Sequence, residues 1–435
     1  MPSEADAKLA RRDPEIPALG LVLDGDALTE CLVRLYPAAG VTRATPEYVR
    51  YKRGTSCLVR CRVECAGGLV VAAAVKAHNP SVGLKIDDAD VRRSAVSPLG
   101  PIAIDAARGL VVSPFPNDRR LPALRTLATE AGTQAAIATL WPDRPAGPEP
   151  VLTPLRYKPE RRFVARVELP DSGPAIAVKF YTKGDYRIVY EHVERHESRP
   201  PLRLPTMVGH AKELRATAVQ WMTGTPLEAG LRDGRLPPPV CRVVGEAVAM
   251  FHAQRAKIEV YRTAERFADE IDGAAEAVAQ LLPTLAADAR RCAAGMSDRI
   301  RRRHWRGNRS VHGDLSADQV IVQDDAIAII DLDRAGRGDP RLDLGAFRAR
   351  LAFDELLGVL TPDVRAEAAS SFVSGYRDAC DKDVTRKLDR FEAAHLLLSA
   401  VEPFRLRHPQ WPTLTAAIID RVAQTAAAGA GASDD

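Results

Sequence analysis

This 435-residue chain has no run of about 18 consecutive apolar residues, so no membrane-spanning helix is predicted. It has little net charge. Lys and Arg number 61 and Asp and Glu 57, and the resulting +4 gives no reason to expect a nucleic-acid partner. The start, MPSEADAKLARRDPEIP, is polar and lacks the apolar core of a signal peptide. Its seven cysteines are an odd number in a long chain, which fits a reducing cytoplasm better than a disulfide framework. Three of them, Cys57, Cys61 and Cys65, have the look of a metal site. As a strand, however, they share one face with Val59 and Val63, while Arg60, Arg62 and Glu64 take the other. No fourth ligand is in view, so a buried apolar face is expected there.

Apolar residues at 46% and charged residues at 27% are what a globular protein needs, and the length suggests two or three domains. The middle of the chain reads as strands. RYKPERRFVARVEL (156–169) alternates, a turn follows at 171–174, and AIAVKFY (175–181) returns as a hairpin. A helix is expected over about 185–198, with Val189 and Val193 on its apolar face, then strands near 206–210 and 215–222. MTGTPL (222–227) breaks the pattern as a hinge would. Helices dominate from there on. Val240, Val243, Val244, Ala247 and Phe251 mark one over 240–255, and further helical patterns run from about 345 to 425. Strands first and helices after make an α+β chain.

An internal repeat is visible. VRYKRGTSCLVRCRVECAGGLVVAAAVKAH (49–78) parallels LRYKPERRFVARVELPDSGPAIAVKFY (155–181), each running from Arg-Tyr-Lys to a Val-Lys strand. Lys76 and Lys179 fall in matching places, and the likeness continues through 97–124 and 204–231. A duplicated β-rich lobe is expected, with only the second copy running on into the helical half.

The segment with the clearest chemistry is Val311-His312-Gly313-Asp314-Leu315-Ser316-Ala317-Asp318-Gln319, followed by two short apolar strands and Asp331-Leu332-Asp333. Phosphoryl transfer needs a carboxylate at the acceptor hydroxyl and oxygen ligands that hold Mg²⁺ against the phosphates. A hairpin with Asp314 and Gln319 before it and Asp331 at its end can bring these together. The order His-Gly-Asp through Gln319, then Ile330-Asp331-Leu332-Asp333, then Gly338-Asp339-Pro340-Arg341-Leu342-Asp343-Leu344 resembles the aminoglycoside phosphotransferase and choline-kinase-like family. MTGTPL resembles that family's inter-lobe hinge and VGEAVAMFH its central helix. The resemblance covers roughly 150–425.

The resemblance implies a protein-kinase-like bilobal fold, with an additional N-terminal lobe over 1–150, a β-rich kinase lobe over 151–226 and a helical catalytic lobe over 227–435. It implies ATP or GTP with Mg²⁺ as cofactors. Asp314 becomes the catalytic base, in one loop with His312, and Gln319, Asp331 and Asp333 the metal residues. Asp343 braces the catalytic loop. Lys179 holds nucleotide phosphates, paired with Glu194 or Glu191, and Gln220, Trp221 and Met222 offer backbone groups to the base. The family's usual metal Asn is Gln319 here. The nucleotide loop, Pro159-Glu160-Arg161-Arg162, has no glycine, so arginine side chains such as Arg161 are expected to meet the phosphates.

The implied activity is a phosphotransferase acting on a hydroxyl of an aminoglycoside, another antibiotic, a sugar or an amino alcohol. Two alternatives are a kinase for Ser or Thr of a peptide and a nucleotide-binding scaffold with little turnover. Glu402, Arg405, Arg407 and His408 are candidates for the acceptor site, set against a solvated helix end. The first lobe is expected to dock on the rest of the chain and to serve substrate capture or dimerisation, with Lys76 outside the nucleotide site.

Overall fold

Alternation decides the first sheet. Along β2 (Ser56–Cys65) the residues Cys57, Val59, Cys61, Val63 and Cys65 are all buried, while Arg62 between them is exposed. The three cysteines therefore belong to the packed face. The computed structural model describes residues 3–82, 91, 94–170, 173–193, 195–302, 305, 307–324, 326–380 and 384–431. Most of the polar segment at 82–94 lies outside them. By internal contacts the chain divides into two units. The first is Met1–Tyr186 with Val208–Val219 and Pro403–Trp411, and the second is Arg187–Met207, Gln220–Glu402 and Pro412–Asp435.

The first unit holds two five-stranded sheets. In one, β1 (Val41–Lys52), β2 and β3 (Val70–His78) form an antiparallel meander. After β4 (Ala103–Asp105), β5 (Leu110–Pro114) returns beside β3 and leaves β4 on the edge. The other takes the same path with β6 (Val151–Lys158), β7 (Arg162–Glu168) and β8 (Ala175–Tyr181). The chain then passes through β9 (Leu202–Arg203), which pairs elsewhere, before β10 (Met207–Ala211) and β11 (Ala216–Gln220) complete the order β6-β7-β8-β11-β10. What reads as one long strand over 156–169 is thus broken at 159–161 by a tight turn.

Register makes the correspondence exact at several positions. Arg50 faces Leu58 and Leu58 faces Lys76, just as Arg156 faces Val164 and Val164 faces Lys179. His78 N–H donates to Gly109 O, and Tyr181 N–H donates to Arg215 O, both at 2.9 Å. The first hairpin turns are held alike too. Asp13 accepts the Tyr51 hydroxyl at 2.7 Å and the Gly54 N–H at 2.9 Å. Asp118 accepts the Tyr157 hydroxyl at 3.0 Å and the Glu160 N–H at 2.6 Å. Gly54 and Glu160 share the left-handed backbone, with φ of 64° and 57°.

Each sheet needs cover for its apolar face. Helices Glu4–Arg12, Leu19–Leu23 and Gly25–Leu35 precede the first sheet, and the latter two lie on β1 to β3. Leu121, Leu124, Ile137, Leu140 and Trp141, from the connection between the sheets, form one core with Tyr157, Phe163 and Phe180 of the second.

The second unit is helical around a small sheet. Helix Cys241–Ala253 packs on Pro362–Asp378, and Phe347 of helix Arg341–Leu356 stacks on Phe372 at 4.1 Å. Val244, Ala247, Val248 and Phe251 face this core, whereas Val243, expected on the same face, is 36% exposed at its edge. The hinge-like segment becomes β12 (Thr225–Pro226), which pairs with β14 (Val320–Val322). The expected helix near 185–198 is observed as Lys183–Val193.

Residues 403–411 are part of the first unit, and Arg407 is used there in an ion pair. Arg407 forks onto the buried Asp6 at 2.8 and 3.1 Å and also donates to Leu23 O at 3.2 Å. Phe404 beside it meets the Tyr51 ring edge-on. Arg407→Ala strands a buried carboxylate, so it should lower unfolding stability by about 3–5 kcal/mol in urea titration, and Asp6→Ala in the same chain should recover part of the loss.

Candidate functional site

A two-stranded ribbon positions the motif residues of the second unit. β13 (Arg309–Val311) pairs antiparallel with β16 (Gly336–Gly338), so the loop leaving one and the loop entering the other start side by side. Between them β14 and β15 (Ile327–Ile329) form the expected hairpin. Ile330 N–H donates to Gln319 O at 3.0 Å, and His312 Nε2 lies 2.9 Å from Ile330 O. The loop carrying Asp314 and Gln319 is thereby tied to the loop carrying Asp331 and Asp333.

Asp343, in the first turn of helix Arg341–Leu356, braces this assembly. Its carboxylate accepts the N–H of His312 at 2.5 Å and of Gly313 at 2.8 Å, and is 2.9 Å from His252 Nε2. Full burial alone would raise its pKa. The His252 hydrogen bond and the neighbouring donors outweigh burial and bring it below the ordinary carboxylate value. Gly313 is required by shape. With φ at 78°, a Cβ there would lie 2.4 Å from Arg334 O.

Asp314 is exposed at the tip of the loop, 3.8 Å from the Arg334 guanidinium, a solvated and weak pairing. Asp331 holds the left-handed backbone at φ 65°, a conformation that Asp adopts more readily than most non-glycine residues. Gln319 Oε1 is buried and has no hydrogen-bond partner. A buried oxygen without a donor is poorly placed unless a cation or a water meets it, so the residues present fit a metal ligand at 319.

Lys179, Arg161 and the loop at 159–161 lie in the first unit. Lys179 is central in β8, on the sheet face it shares with Val164 and Ala177. Arg161 sits in the β6–β7 turn, its N–H on Lys158 O at 3.0 Å. Gln220 N–H is bound to Thr206 O at 2.9 Å. Trp221 and Met222 follow it, half-buried. Of the two acids offered to Lys179, Glu194 lies outside the described residues, and the Glu191 side chain does as well.

Sequence reasoning gave no role to His252, although its helix was singled out. It is 2% exposed and links Asp343 to the Tyr376 hydroxyl, 3.0 Å from its Nδ1. The signal was a polar residue on a face of small and apolar ones. Asp118 and Glu160 were missed because their contacts with each other, Tyr157 and Lys76 join segments 39 or more residues apart.

The profile of the phosphotransferase enzyme family, APH, matches residues 155–408. No curated protein matches the chain significantly. Similar solved structures include a choline/ethanolamine kinase family protein from Mesorhizobium loti, 15% identical over 68% of this chain and 94% of its own, with a TM-score of 0.48. Choline kinase LicA from Streptococcus pneumoniae is 13% identical over 69% and 99%, with a TM-score of 0.46. A thermostable mutant of aminoglycoside phosphotransferase APH(4)-Ia, in a ternary complex with ADP and hygromycin B, is 16% identical over 68% and 99%, with a TM-score of 0.47. With more than half of its length in the profile match, and with that profile spanning the braced loop, the chain belongs to the phosphotransferase enzyme family.

Proposed function

We propose that this protein transfers a phosphoryl group from ATP or GTP to a hydroxyl of a small molecule, of the aminoglycoside, other antibiotic, sugar or amino-alcohol class. The observation that supports it most is the Asp343 brace. Two backbone N–H groups and one imidazole on a buried carboxylate fix the loop that carries the exposed acid Asp314. Asp314 accepts the proton of the acceptor hydroxyl, and His312 keeps the loop on Ile330.

Gln319 and Asp331, with Asp333 close by, would hold a divalent cation such as Mg²⁺, which when bound offsets charge on the phosphate oxygens. The unpartnered Gln319 Oε1 supports this. Lys179 and Arg161 would hold phosphate oxygens, and the backbone at 221–222 the base. Residues 1–150 are read as a duplicated β-rich lobe, on the strength of the shared strand order and the two aspartate-held turns. Residues 151–226 and 227–435 are then the two lobes of the kinase-like fold. Turnover of labelled nucleotide against a panel of aminoglycosides, sugars, amino alcohols and Ser/Thr peptides tests the acceptor class, and transfer to peptides alone would overturn it.

Asp314→Asn should lower transfer by about 10²–10⁴-fold and leave nucleotide affinity near the parent's, because the acid acts at the acceptor. Equal loss of nucleotide affinity in calorimetry would remove that assignment. Gln319→Ala should sharply raise the Mg²⁺ concentration needed for half-maximal activity, while Gln319→Asn, which keeps an amide oxygen, should retain substantial activity. An unchanged Mg²⁺ titration for the alanine variant would show that Gln319 is no ligand.

A further inference from the structure

The β6–β7 turn contains a conflict between sequence and backbone. Residue 160 adopts the left-handed conformation with φ at 57°, where glycine is the ordinary choice, and it is a glutamate. The matching turn of the first sheet has glycine there, Gly54. Both turns have the same anchor, a buried aspartate that takes the turn's N–H and a tyrosine hydroxyl. The backbone shape is therefore attainable without a side chain. What glutamate adds is its carboxylate, which lies 2.9 and 3.0 Å from Lys76 Nζ and 3.2 Å from Arg50 Nη2. Arg60 of the first sheet donates to Tyr157 O at 3.1 Å, just before the turn. Lys76, Arg50 and Glu160 are each between about a fifth and a third exposed. That is enough shelter for a charge-assisted contact to hold, and two cations on one carboxylate leave it little freedom.

We propose that the first sheet is a clamp on the nucleotide loop of the second, with Lys76 and Arg50 acting through Glu160 as positioning residues that present Arg161 to the phosphates. This rests on the nucleotide reading of that loop given above. Glycine-rich phosphate loops order on their ligand through backbone N–H groups. In this chain the loop has no glycine; Asp118 anchors its backbone, and the neighbouring sheet holds the Glu160 side chain. Lys76 matches Lys179 by register yet is spent on Glu160. Its expected silence in nucleotide use is therefore revised. On this proposal Lys76 affects nucleotide use through the loop, by holding Glu160.

The full-length chain carries the test, in four variants: Lys76→Ala, Lys76→Arg, Glu160→Gln and Glu160→Gly. Lys76→Ala and Glu160→Gln should each raise the nucleotide dissociation constant about tenfold in calorimetry, with kcat at saturating nucleotide unchanged. Their combination should be no worse than either alone, and Lys76→Arg should restore most of the affinity. Glu160→Gly separates positioning from stability. It relieves the backbone, so its melting temperature should stay level or rise while nucleotide affinity falls. A glycine variant with parental affinity, or losses that add in the double variant, would overturn the clamp. Amide exchange gives a second readout that needs no nucleotide. The Glu160 N–H should be protected in the parent and exchange faster in Lys76→Ala. If the parent binds no nucleotide, the functional reading falls, and exchange at 160 still decides the clamp, with unchanged protection counting against it.

Discussion

A buried carboxylate that collects backbone N–H groups can fix a loop that has no secondary structure of its own. Three such aspartates set the geometry of loops in this chain. Asp343 takes the N–H groups of His312 and Gly313, Asp118 those of Glu160, Arg120 and Leu121, and Asp13 that of Gly54. Each is 3% exposed or less, so water cannot compete for its oxygens. A charge so deeply buried is tolerated only when its lone pairs are filled, and filling them with N–H groups of one loop makes that loop's shape a condition of burial. A loop N–H lost from such a carboxylate costs much more than one lost to solvent.

The legible part of the site was the part whose partners are close in sequence. Asp314, Gln319, Asp331 and Asp343 lie within 30 residues, and their order around two short strands is enough to suggest the fold that joins them. The brace by Asp343 came with the family resemblance, and the structure supplies its geometry. The repeat was legible because Arg-Tyr-Lys closes the first strand of each sheet, and register places both triplets alike. The helix of 240–255 was legible from its period, apart from Val243, because a stripe fixes a face but not how far the partner helix reaches across it.

Long-range pairing was not legible. Arg407 and Asp6 are 401 residues apart, and nothing local marks either as half of an ion pair. Arg407 stood in a polar helix end that reads as solvated surface more readily than as a site. The turn at 159–161 was misleading in a different way. With no glycine it looked like a continuation of a strand, because left-handed backbone is read from glycine and asparagine. Tertiary contacts overrode that preference here. A turn can take an unfavourable residue when an anchor on its N–H and partners on its side chain together exceed the backbone penalty, which for one left-handed residue is about 1–2 kcal/mol.

The two sheets show what that override accomplishes. They share a path, a register and an aspartate–tyrosine anchor, so the difference between Gly54 and Glu160 is not demanded by the fold. At position 54 the side chain is absent and the turn is held at its backbone alone. At position 160 the side chain reaches the neighbouring sheet, to a lysine in the place where the second sheet carries Lys179. The central lysine of the first sheet is thus in an ion pair with the turn of the second. Lys76 and Arg50 hold the Glu160 carboxylate from the first sheet, so the turn of the second is anchored at its side chain as well as at its backbone N–H.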